Sequence, residues 1–113
     1  MSLSTISSEQ AKATKTTLKN LHQVLDYLAK KTDATIRFHA SDMVLNIHSD
    51  ASYISAKNSK SRASGHFFLG SFPKDGEPIT LNGAIFTLCN ILKNLASSSA
   101  EVELGALFMN VNE

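Results

Sequence analysis

Apolar residues first fall into a helical rhythm between Leu18 and Leu28, where Leu18, Leu21, Val24, Leu25 and Leu28 recur at steps of three and four. That spacing puts them on one stripe of an amphipathic helix ending near Lys30 and Lys31, whose charges suit a helix C-terminus. Ahead of it, residues 1–17 are rich in Ser, Thr and Lys with little periodicity and read as a weakly ordered lead-in. After a turn signal at Thr32-Asp33, Thr35-Ile36-Arg37-Phe38-His39 alternates as a short strand does, so residues 18–42 read as a connecting helix and strand.

From residue 43 to 113 the rhythm is that of a sheet followed by a helix. Met43 to Asp50 alternates, with Met43, Leu45 and Ile47 on one face and Val44, Asn46, His48 and Asp50 on the other. Ala51 to Ser64 is polar and basic and reads as a loop. His66-Phe67-Phe68-Leu69-Gly70 predicts a second strand, the Pro73 to Pro78 stretch a turn-rich connection, and Ala84-Ile85-Phe86-Thr87-Leu88 a third strand. Asn90 to Leu95 fits either a continuation of that strand or a turn. Strands joined without helices predict an antiparallel meander. Ser97-Ser98-Ser99 offers N-caps, Ser98 and Glu101 have capping-box spacing, and a helix is expected from about Ala100 onward. The fold class is therefore α+β: an N-terminal helix, a three-stranded antiparallel sheet and a C-terminal helix.

Composition narrows this little. The chain has 113 residues, 42% of them apolar, with five glycines and two prolines, which fits one globular domain with a modest core. Eleven basic and ten acidic residues give a net charge of +1, so nucleic-acid binding requires local clustering of charge. Lys57, Lys60 and Arg62 form such a cluster, whereas the last fourteen residues carry Glu101, Glu103 and Glu113 and no base. Cys89 is the single cysteine, which excludes an intrachain disulfide and makes a reduced intracellular setting the simplest expectation. No apolar run reaches membrane-spanning length, and the first residues are too polar for a signal peptide; no membrane partner is expected.

The candidate chemistry is acidic. Asp50 ends the alternating run, and Glu101-Val102-Glu103 opens the last helix; carboxylates placed on a strand tip and on an adjacent helix are oxygen ligands suited to Mg²⁺, as in metal-dependent nucleases. Glu103 shares a helix face with Ala100, Ala106 and Leu107, and Glu101 with Leu104, Gly105 and Phe108, so periodicity leaves open which one points at the sheet. His48 and Asp50, two apart on one strand face, have zinc-ligand spacing, but no Cys or His cluster completes a site. His22, His39 and His66 read as ordinary helix or strand residues, and Phe67-Phe68 as core or interface.

Four stretches together, Asn46 to Tyr53, Ser61 to Gly70, Asn82-Gly83-Ala84-Ile85 and Ser97 to Phe108, closely resemble the ribonuclease H-like domain of copia-type LTR retrotransposon polyproteins. Leu3 to Ser41 resembles the segment joining the reverse transcriptase to that domain. The resemblance implies a mixed sheet with three antiparallel strands first, then a helix, and hydrolysis of RNA in RNA–DNA hybrids by two Mg²⁺ ions. Carried over by position, the first-strand ligand is Asp50 and the helix ligand Glu103, with Glu101 as fallback. Two further carboxylates would fall beyond Glu113, so the expectation is a truncated domain, inactive alone. Lys57, Lys60 and Arg62 would track phosphates of the hybrid, and Ser52 with the Ala51 backbone would touch its sugar edge; a solvated loop is the alternative. A decayed or domesticated remnant, binding nucleic acid or a protein partner without chemistry, or self-associating through an exposed strand edge, is the competing reading.

Overall fold

The computed structural model describes residues 2–113, which fall into two units, one reaching Thr35 and the other spanning Ile36–Glu113. The first unit is helical. α1 is Ser2–Ser8, a 3-10 turn follows at Gln10–Lys12, and α2 is Lys15–Lys30. The expected lead-in is thus helical over most of its length; its first residue lies outside the described residues. α2 starts three residues before the leucine stripe because Thr14 and Thr17 cap it reciprocally: Thr14 Oγ1 accepts from the Thr17 N–H (3.3 Å) and Thr17 Oγ1 from the Thr14 N–H (3.2 Å). Thr17 is buried and its hydroxyl donates to Glu9 Oε2 at 2.7 Å.

The second unit has the α+β layout read from the sequence: strands β1 (Val44–Ser52), β2 (Arg62–Gly70) and β3 (Ala84–Ile91), then helix α3 (Ser99–Val111). The sheet is antiparallel in the order β1-β2-β3. β1 and β2 extend into what reads as a polar loop, since Ala51 pairs with Ala63 and Ser52 with Arg62. Their short polar residues hide the strand period, and ladder pairing overrides it. β3 likewise runs on through Asn90 to Ile91, and the Leu92 N–H then donates to Ser61 O at 2.9 Å.

The segment 35–39 forms no strand. Its alternation is real, but a side chain takes up the backbone of its last residue: Asn82 Oδ1 accepts from the His39 N–H (2.8 Å), and Asn82 Nδ2 donates to His39 O (2.9 Å) and Leu69 O (2.8 Å). One carboxamide stands in for a rung of ladder.

β2 is central and buried along most of its length, with Ala63 and Phe68 fully enclosed. Phe67 packs edge-on against Phe86 across the strands at 5.2 Å. α3 lies on β1 and β2, burying Val102, Ala106 and Asn110, which recur at four-residue steps and form one stripe. Asn110 identifies the covered face: its Nδ2 donates to Ser49 Oγ (2.8 Å) and Ser64 O (3.0 Å). α3 therefore covers the face bearing Ser49 and Gly65.

Candidate functional site

Asp50 is exposed near the end of β1, directly opposite Ser64, whose hydroxyl donates to the Asp50 carbonyl at 3.4 Å. Side chains alternate along a strand, so Asp50 leaves the sheet on the face opposite Ser49, together with His48 and its register partner His66. Both imidazoles pack on Phe68, with ring centroids 5.4 Å away, and His66 Nε2 lies 3.3 Å from Asn82 O.

The carboxylates of α3 have separate roles. Ser98 Oγ caps the helix by accepting from the Glu101 N–H at 3.2 Å, but the Glu101 carboxylate does not return to Ser98. It reaches one residue further back, accepting from Ser97 N (2.8 Å) and Ser97 Oγ (2.9 Å). The backbone N–H of Ser97 first, and its hydroxyl second, hold the Glu101 carboxyl below its ordinary value. Glu103, next to buried Val102 and three residues before Ala106, borders the stripe that faces the sheet and is itself exposed. Glu101 is a capping residue.

Asp50 and Glu103 nevertheless project from different sides: Asp50 from the face α3 leaves uncovered, Glu103 from α3 on the other. Among the described residues, no three His, Cys, Asp or Glu side chains are grouped so as to hold a metal ion. A two-ion Mg²⁺ centre needs several carboxylates converging on one point, and the described residues show no such group.

The four residues matched to nucleic-acid contact come together at one end of the sheet. Ser52 and Arg62 are register partners that share Asp50's face, and Lys57 and Lys60 lie on the turn between β1 and β2. Arg62 differs from the expected loop cation, being in β2 and only 5% exposed. Lys57 is exposed and Lys60 half-buried, so surface charge here rests on those lysines. The turn is well tied: Ile54 N donates to Ser61 Oγ (3.0 Å), Ala56 N to Lys60 O (2.9 Å), and Tyr53 Oη to Ser97 O (3.2 Å). Ile54, Asn58 and Ser59 adopt left-handed φ values of 49°, 60° and 55°, a conformation that strains a β-branched residue such as Ile54.

Asn110 and Gly65, which meet where α3 covers the sheet, and Asn82, which ties His39 to Leu69, carry no signal of their own in the sequence. Asn110 sits where an apolar helix residue is expected, and only its contact with a glycine on the neighbouring strand reveals its role. Among the described residues, no helix is long and apolar enough to cross a membrane. No protein-family description, curated protein or solved structure matches the chain.

Proposed function

We propose that Ile36–Glu113 carries the opening strands and first helix of a ribonuclease H-like domain of the copia-type retrotransposon class, and that this chain binds RNA–DNA hybrids without cutting them. One observation carries the reading: three sequential antiparallel strands lead to a helix laid on the first two, with Asp50 on the first strand and Glu103 in that helix. That is the order the sequence resemblance implies. Binding without cleavage follows from the placement of the carboxylates, since Mg²⁺-dependent hydrolysis requires a convergent set and these two diverge. Contact with the hybrid would come from Lys57 and Lys60 through phosphates and from Ser52 through the sugar edge.

The test is binding of a labelled RNA–DNA hybrid, with a DNA duplex of the same sequence as competitor, in Mg²⁺. The hybrid should be preferred, bind more weakly as salt rises and lose affinity in Lys57→Ala/Lys60→Ala, with the RNA strand intact. Equal affinity for both duplexes, or indifference to the lysine substitutions, removes the reading. RNA cleavage abolished by Asp50→Asn would restore catalysis and refute the binding-only part.

A second reading rests on the free edge of β1. Among the described residues, this nine-residue strand pairs only with β2; it contains no Pro or Lys, and exposes Leu45 and Ile47. Such an edge can take a strand from a protein partner or a second copy. Protection of β1 amides from hydrogen exchange only at high protein concentration would favour self-pairing through it.

A further inference from the structure

The Leu92 N–H donates to Ser61 O at 2.9 Å, so Ser61 turns its backbone groups toward β3, and the alternate residues Arg62, Ser64, His66 and Phe68 turn theirs toward β1. Their register partners Ser52, Asp50, His48 and Asn46 answer them, which leaves the N–H and C=O groups of Leu45, Ile47, Ser49 and Ala51 pointing out of the sheet. Among the described residues, no further strand meets that edge. We propose that it is filled by β1 of a second copy, antiparallel about a two-fold axis at Ser49, which joins the two sheets into one. The proposal rests on the open-edge reading of β1 and names its occupant and register.

The strand is its own complement in this register. Outward-turned residues must face outward-turned residues, and an axis at Ser49 sets Ser49 against itself and Ile47 against Ala51 of the second copy, each pair exchanging both main-chain hydrogen bonds. On the face away from α3, the non-hydrogen-bonded positions bring side chains closest, and there His48 meets Asp50 of the second copy, twice by symmetry. Both side chains are exposed in the single chain, so an imidazole N–H and a carboxylate are available to each other. Moving the axis by one residue sets His48 against itself or Asp50 against itself, which loses the opposite-charge pairs and opposes like groups. On the other face Asn110 is bonded to Ser49, so the axis passes beside α3. Glu101, Gly105 and Phe108 line the groove on the β3 side of α3, which turns exposed Leu107, one turn before Asn110, toward the axis and its counterpart. Laid over β1 and β2, the two α3 helices stand roughly 10 Å apart, the separation of packed helices.

Sedimentation velocity of the full chain from micromolar to near-millimolar concentration tests this. The weight-average mass should rise toward that of a dimer. Ile47→Pro removes an outward N–H without touching the β2 ladder and should abolish association, with circular dichroism checking that the fold is kept. His48→Asp sets carboxylates against each other at both symmetric positions and should weaken the dimer about tenfold. His48→Asp/Asp50→Lys should return it to within about threefold of the native chain, because this register alone keeps the exchanged charges opposite. A chain monomeric at every concentration overturns the proposal and leaves the edge to a strand of another protein. Association that Ile47→Pro removes but the charge exchange does not restore overturns this register while the open-edge reading stands. Association untouched by a folded Ile47→Pro chain overturns both.

Discussion

Gly65 lies directly under Asn110: a Cβ built on Gly65 would press on Asn110 Oδ1 and sit 2.9 Å from its Cγ. Glycine is required here by the close approach of α3 to β2. The Asn110 carboxamide is 1% exposed, with Nδ2 bonded to Ser49 Oγ and Ser64 O and with Oδ1 lacking a partner. Gly65→Ala must push α3 away or break those bonds, and should cost about 1–3 kcal/mol in urea unfolding. Asn110→Ala relieves the contact with Asn110 and leaves the one with Phe67 Cε2 at 2.9 Å, so the double variant should lose less than the sum of the two single variants. Strict additivity would mean the two residues do not compete for the same space.

Asn82 makes a second prediction. Its side chain joins His39, Leu69 and Gly83, whose N–H donates to Oδ1 at 2.8 Å, in four hydrogen bonds. Asn82→Ala should free the segment around His39 and cost about 2 kcal/mol, since these partly exposed bonds each contribute roughly 0.5–1.5 kcal/mol at most. Hydrogen exchange at the His39 amide should become fast while β2 amides stay protected. Slow exchange at His39 in the variant would show that another group holds the segment.

The same residues explain how far the sequence could be read. Period-two alternation in β1 and period-three-and-four leucines in α2 are apolar patterns that burial or amphipathicity imposes directly, and both elements form where they predict. Residues 51–64 failed because Ala, Ser and Gly carry little hydropathy contrast, so the strand ends at Ser52 and Arg62 show no period. The Thr35 to His39 alternation failed for the opposite reason: the pattern is present, but no ladder forms along it, and the Asn82 carboxamide takes up the His39 backbone. The elements that carry the candidate residues were legible, and the directions of the side chains were not. Asp50 and Glu103 occupy the expected elements, yet which sheet face α3 covers is decided by Gly65 and Asn110, through a contact separated by many residues.

Glu101 gives a pH dependence whose sign follows from its environment. Its folded carboxyl is held below the ordinary value of 4.5 by the Ser97 N–H and then the Ser97 hydroxyl, while in the unfolded chain it returns to that value. The unfolded state thus binds the proton more tightly. The contribution is present in full above the ordinary glutamate range and is lost as pH falls through the lower folded value. Glu101→Gln should therefore be slightly less stable than the native chain near neutrality, by a small amount because the group is fully exposed, and should converge on it as pH falls below 4.5, which flattens the acid limb of thermal unfolding. An unchanged acid limb in the variant would show that the Ser97 contacts do not persist in solution.

Magnesium separates the two meanings of Asp50. An ion shared by Asp50 and Glu103 would bind only the folded chain and would raise its melting temperature in proportion to the logarithm of ion concentration. The strand face carrying Asp50 is opposite the one beneath α3, so millimolar Mg²⁺ should leave the melting temperature flat. Asp50→Asn and Glu103→Gln, both at exposed positions, should each lie within about 0.5 kcal/mol of the native chain. A Mg²⁺-dependent rise that disappears in both variants would demonstrate that the carboxylates converge, and the hybrid-binding reading would then give way to a metal-dependent one. A rise that survives both places the ion elsewhere on the chain and leaves Asp50 as a strand-end residue beside the lysine-bearing turn.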